Sequence, residues 1–199
     1  SNTNMVTNNL VGQHHLYCRN LNTWELVLLD ADASGTGLPL TSMTIPIVSD
    51  DGQFIAFECD SDFLPEDQNL ASDVFVRDLS TGANELISKR APELPSKTPN
   101  GRSLFSQTSI NSTGDYIAFE SDANDLVSSD ANAARDIFFR DRLAGTNFLV
   151  SANTNGVSGH GTSTEPSISG DGRFVVFTSS ASDLVNGDTN GVEDVFVRD

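Results

Sequence analysis

The chain has 199 residues, 37% of them hydrophobic, enough to bury a real core in one domain or two. Its 28 acidic side chains against 11 basic ones give a formal charge of −17, which opposes binding to a phosphate backbone and favours a basic partner or a divalent cation. No apolar run reaches the roughly 18 residues of a membrane span, and no charged-then-apolar leader opens the sequence, so neither a transmembrane helix nor a signal peptide is expected within it.

Residues 1–15 are polar and Asn-rich and read as an N-terminal loop segment entering a single repeat domain over 16–199. Two strands follow, His15-Leu16-Tyr17-Cys18-Arg19-Asn20 and Trp24-Glu25-Leu26-Val27-Leu28-Leu29. From there the chain repeats itself, with boundaries near 30–88, 89–151 and 152–199. Each repeat opens on a connection rich in Gly, Ser, Thr and Pro, then a short strand ending Ile45-Pro46-Ile47-Val48-Ser49, Ser109-Ile110-Asn111 or Pro166-Ser167-Ile168-Ser169. A proline in such a strand predicts irregular or edge pairing.

A tight Gly-containing turn then leads into the most hydrophobic strand, Phe54-Ile55-Ala56-Phe57, Tyr116-Ile117-Ala118-Phe119 or Phe174-Val175-Val176-Phe177. Both faces of these strands are apolar, so sheet must pack on sheet at both sides. The clearest repeat comes next. Asp73-Val74-Phe75-Val76-Arg77-Asp78, Asp136-Ile137-Phe138-Phe139-Arg140-Asp141 and Asp194-Val195-Phe196-Val197-Arg198-Asp199 start 63 and 58 residues apart, and His15–Asn20 is a worn copy. Short turns such as Ser80-Thr81-Gly82 lead to fourth strands at Glu85–Ser88 and Phe148–Ser151.

Four strands in about 60 residues, joined by hairpin-type turns and apolar on both faces, are what a β-propeller stacks around its axis. The pattern Ser-x-Asp-Gly-Arg-Phe-Val-Val-Phe followed by Asp-Val-Phe-Val-Arg-Asp resembles the WD40-like propeller repeat of the TolB C-terminal type, over nearly the whole chain from about residue 9. The resemblance implies an all-β fold of four-stranded antiparallel blades and an exported, periplasmic or extracellular protein. About three repeats are present, with 13 strands expected, whereas a closed ring takes about four to eight blades. A fragment of a longer propeller and a homo-oligomer that completes the ring both satisfy that count.

Between the second and third strand of each repeat lies an acidic segment of the form Asp-[Leu/Phe]-[Val/Leu]-x-x-Asp-x-Asn-x-x-x-Asp. Residues 59–73, 121–136 and 179–194 hold 13 of the 28 acids and one base, Arg135. Alternating oxygen ligands of this kind suit a hard cation such as Ca²⁺, with Asp67, Asn69 and Asp73, Asp130, Asn132 and Asp136, and Asp188, Asn190 and Asp194 as the candidate ligands. The same Asp and Asn side chains fit a second role, holding Asx-turns against backbone N–H groups. Arg77, Arg140 and Arg198 are expected to pair with acids of their own or the adjacent blade.

Catalysis has no visible constellation. The histidines His14, His15 and His160 lie at no metal spacing, and Gly159-His160-Gly161-Thr162-Ser163 lacks a nucleophile elbow. Cys18 and Cys59 fit reduced thiols or a disulfide. Both long connections of each blade should emerge on one side, giving an acidic, loop-built face suited to a protein or carbohydrate ligand. The alternative is the propeller domain of a larger hydrolase or lyase.

Overall fold

A computed structural model describes residues 6–12, 14–40, 45–62, 64–91, 98–104 and 109–199. Thirteen strands lie among them: β1 (Tyr17–Arg19), β2 (Leu26–Leu28), β3 (Ile47–Val48), β4 (Phe54–Cys59), β5 (Asp73–Asp78), β6 (Asn84–Leu86), β7 (Ser103–Leu104), β8 (Tyr116–Ser121), β9 (Asp136–Asp141), β10 (Thr146–Leu149), β11 (Ser163–Ile168), β12 (Val175–Ser179) and β13 (Asp194–Arg198). They form four antiparallel sheets in strict chain order, β1-β2, β3-β4-β5-β6, β7-β8-β9-β10 and β11-β12-β13.

The central hairpin of each sheet has one register. Phe57 faces Phe75, Phe119 faces Phe138 and Phe177 faces Phe196. The rings of each pair stack with centroids 5.9, 5.8 and 5.7 Å apart, a cross-strand arrangement that adds to burial and pins the register. Period-two alternation then sends neighbouring residues to opposite faces.

Ile55, Phe57 and Phe75 join Leu29 and Leu40 in one cluster between the first and second sheets. On the reverse face, Ala56, Val74 and Val76 join Ile117, Phe119 and Phe138 of the third sheet. Ala118 and Ile137, on the third sheet's reverse face, join Val175 and Phe177 of the fourth. Every sheet thus meets its neighbour through the same positions of the repeat. The four-stranded sheets are β-propeller blades. On the fourth sheet, the positions matching the buried Ala56, Val74 and Val76 are Val176, Val195 and Val197, and the last two are 70% and 64% exposed.

The turns into the second strands link blade to blade. The Asp51 N–H donates to the Ser112 carbonyl (3.3 Å), and the Ser112 N–H donates to that of Gly170 (3.0 Å). Gly114 and Gly172 have φ of 71° and 78°, and a Cβ there would overlap the Phe54 and Tyr116 rings of the preceding blade. Gly52 has the same backbone (φ 72°) and open space around it. Gly114→Ala should therefore cost about 2–3 kcal/mol, from left-handed strain plus displacement of the ring. Gly52→Ala, which carries the strain alone, should cost about 1 kcal/mol. Urea melts of both check the difference, and equal losses would contradict the stacking.

The first strands are the least regular. β3 has two residues, and in the third blade pairing begins at Ser103 and resumes at an Ile110–Ile117 bridge, with residues 105–108 outside the described set. β11 shifts register between Thr164 and Ser167, where Glu165 has φ 57° and Pro166 follows. Proline lacks the N–H that a continuous ladder needs.

Candidate functional site

The long connections gather on one side. The Asn69 Nδ2 donates to the Pro99 carbonyl (3.0 Å), and Asn132 Nδ2 donates to that of Gly159 (2.5 Å). Each acidic segment is thereby tied to the connection that leaves its own blade. Asp125 and Asp183 bind the connection that enters the blade: Asp125 accepts from the Asn100 N–H (3.0 Å), and Asp183 from Asn153 Nδ2 (2.9 Å) and the His160 N–H (2.8 Å).

The three asparagines make the turns expected of them. The Oδ1 atoms of Asn69, Asn132 and Asn190 accept from the N–H groups of Ala71 (2.9 Å), Ala134 (2.8 Å) and Val192 (3.0 Å). The residue inside each turn, Leu70, Ala133 or Gly191, has φ of 54°, 55° or 68°. Such left-handed backbone in non-glycine residues stores strain that the Asx-turn offsets.

The aspartates divide by copy. Asp67 and Asp73 are buried, as are Asp130 and Asp136. Asp73 Oδ1 accepts from Ser88 Oγ (2.6 Å) and Asp136 Oδ1 from Ser151 Oγ (2.5 Å), while each serine accepts the N–H of the residue after the aspartate. Asp73 Oδ2, Asp136 Oδ2 and both oxygens of Asp67 and of Asp130 receive no hydrogen bond of ordinary geometry. Burial pushes the carboxyls of Asp67, Asp73 and Asp136 up to about 7, and the Asp73 charge adds to the effect on Asp67. Burial raises Asp130 as well.

In the fourth blade, Asp188 and Asp194 are only half-buried and Asp194 Oδ2 accepts from Asn190 Nδ2 (2.8 Å), so the third predicted trio does not repeat the buried pair. Its physical reason lies in the cover. On the connection after the third blade's last strand, Ser158 is 4% exposed and its Oγ accepts the Ala131 N–H (3.0 Å) beside that blade's acidic segment.

The first blade solves the same position differently. His15 stands where Asp73 and Asp136 stand, and Asp30 where Ser88 and Ser151 stand, each pair 15 residues apart. Asp30 Oδ2 lies 2.7 Å from His15 Nδ1 and its Oδ1 accepts the Leu16 N–H (3.1 Å). In the sequence His15 heads a worn copy of the repeat at no metal spacing, and its pairing with Asp30 is a finding of the structure. The signal that finds the pair is the 15-residue spacing shared by all three copies.

Among the described residues, four basic side chains on this side form ion pairs. Lys89 meets Glu66 (3.7 Å), Arg90 meets Asp125 (2.5 Å), Arg102 meets Asp122 (3.2 Å), and Arg135 bridges Asp122 (2.7 Å) and Glu120 (3.2 Å). The Arg135 guanidinium holds the Asp122 carboxyl below its ordinary value. Between the last two blades' connections an open cleft of about 470 Å³ is lined by Asn153, Asn155, His160, Asp183 and Asn186.

On the other side, Arg140 and Arg198 lean on backbone more than on acids, while Arg77 Nε makes no hydrogen bond of ordinary geometry. Arg140 donates to the Gly145 carbonyl (2.9 Å) and reaches Glu85 at 3.6 Å, while Arg198 donates to the carbonyls of Val150 (3.1 Å) and Ala152. Arg142 is the closer partner of Glu85 (3.0 Å). Cys18 and Cys59 are free thiols, and burial pushes Cys59 up to about 12, which leaves it unreactive.

No protein-family model and no curated protein matches the sequence. Among solved structures, the chain is similar to TolB from Acinetobacter baumannii (14% identity, TM-score 0.47, 93% of this chain and 35% of that one). It is also similar to the tricorn protease (14%, 0.49, 82% and 13%). A third likeness is to the β-propeller domain of the Trilobed protease from Pyrococcus furiosus (12%, 0.39, 79% and 44%). The chain spans less than half the length of each, and likenesses this loose transfer neither ligand nor activity.

Proposed function

We propose that this chain is a non-catalytic binding module, exported as the resemblance of its repeat implies, that recognises a protein or carbohydrate through its long-connection face. The observation that supports this reading is the open polar cleft of about 470 Å³ between the last two blades. Its lining of amides, a carboxylate and an imidazole beside the exposed Val157 and Val185 offers donors and acceptors next to apolar surface, which suits sugar rings or polar peptide ligands. The surrounding acids outnumber the bases in the sequence of these segments, which favours ligands with positive charge and gives a salt-dependent on-rate.

Glycan arrays and arrays of basic peptides, followed by calorimetry of the hits, test the reading. Asn155→Ala and His160→Ala alter exposed side chains and should each weaken binding by about tenfold or more. Failure of both arrays, or unchanged affinity in both variants, would contradict it.

A further inference from the structure

We infer that the second and third blades each hold a hard divalent cation, bound between the paired carboxylates Asp67 and Asp73 in one and Asp130 and Asp136 in the other. The clustering of acids is only the start of the argument. Asp67 is 2% exposed and Asp130 6%, and no hydrogen bond of ordinary geometry reaches either oxygen of either side chain. Asp73 and Asp136 are fully buried, each with one oxygen satisfied by serine and the other unpartnered. Among the described residues, no arginine, lysine or histidine forms an ion pair with any of the four, although the bases nearby pair with other acids.

Two buried carboxylates with three free oxygens between them are not a stable arrangement on their own, because uncompensated buried charge is costly. A divalent ion neutralises the pair and takes oxygen ligands of this type. The hydroxyls close by, Ser88 in one blade and Ser151 and Ser158 in the other, are neutral oxygens of the kind that complete such a shell. Ser158 Oγ already accepts the Ala131 N–H (3.0 Å), which places it beside Asp130.

The repeat itself supplies the comparison. In the first blade the buried carboxylate of Asp30 has a basic side chain, His15, at 2.7 Å. In the fourth, the half-buried Asp194 is bonded to Asn190. The two copies that bury both acids are the two in which buried carboxylate oxygens are left over after the serine bonds are made. Asn69 and Asn132, whose oxygens accept turn N–H groups, shape the segments. The second-blade site shares no residue with the cleft between the last two blades, whereas the third-blade site meets the cleft's connection at Ser158, so Asp67→Asn is the variant that separates loss of cation binding from loss of ligand binding.

The test is equilibrium dialysis of the chelator-stripped full chain with Ca²⁺ and, separately, Mg²⁺, together with thermal melts. Saturable binding of close to two ions of either metal per chain is expected, with the melting temperature rising by 5 °C or more. Asp67→Asn and Asp130→Asn should each reduce the count to one, the double variant should bind none, and Asp188→Asn should keep both. Asparagine matches the carboxyl in shape, and far-UV circular dichroism of the double variant verifies the fold. An unfolded double variant moves the decision to the two single variants. No saturable binding of either ion, or two ions retained in folded Asp67→Asn and Asp130→Asn, would overturn the inference.

Discussion

Replacing His15 by alanine is expected to destabilise the chain by about 3–5 kcal/mol, because it removes one partner of a buried pair and leaves the other charge in place. The side chains of His15 and Asp30 are 5% and 1% exposed, and without the imidazole Asp30 retains the Leu16 N–H. Urea unfolding measures the loss. The equivalence of His15 and Asp30 to Asp73 and Ser88 adds a sharper expectation. His15→Asp combined with Asp30→Ser installs the arrangement of the second blade, so the double variant should recover at least about 1 kcal/mol relative to the sum of the single losses. Strict additivity would show that the first two strands are not a copy of the repeat.

In chelator-treated protein, stability should fall as pH rises from about 4 to 7. Asp67, Asp73 and Asp136 carry folded values of about 7, set first by burial, against about 3.9 for an exposed Asp in the unfolded chain. The folded state therefore binds more protons across that window, and its advantage is complete below pH 4 and lost above 7. A single group shifted by three pH units corresponds to about 4 kcal/mol, and because members of each pair are coupled, the total should be several kcal/mol rather than the simple sum. Below about pH 4 the sign reverses. Asp78, held at about 2 chiefly by Ser80 Oγ, and Asp122, held low by Arg135, lose favourable interactions on protonation. Denaturant midpoints at pH 5 and pH 8 test the slope. Asp73→Asn, which mimics the protonated form, should flatten it, and a midpoint that rises between pH 5 and 8 would contradict the burial of these acids.

Much of the fold was legible because the repeat writes its packing into the strand sequences. Phe57, Phe119 and Phe177 alternate with smaller residues, so the two apolar faces and the sheet-on-sheet contacts could be read directly. Glycine in the turns marked positive φ at Gly114 and Gly172. The first strands were less legible, since β7 starts on Ser103 in a Ser/Thr-rich connection and is held by backbone hydrogen bonds that leave no apolar pattern. The acidic segments read as one motif in three copies, yet the structure separates them. Asp67, Asp130 and Asp188 hold the same position of the motif, and the first two are buried while the third is half-buried, so the local pattern by itself does not set their burial. The His15–Asp30 pair was hidden for a related reason, because its two members exchange the chemistry of the repeat across two strands.

The central claim is that successive four-stranded sheets stack through equivalent positions, and the contact that reports it most directly is a ring of one blade over a turn glycine of the next. Nuclear Overhauser spectroscopy should show the Gly114 Hα protons against the Phe54 ring and those of Gly172 against the Tyr116 ring, with Gly52 showing no aromatic neighbour. Glycine Hα protons that see only rings of their own repeat, or none, would contradict the stacking.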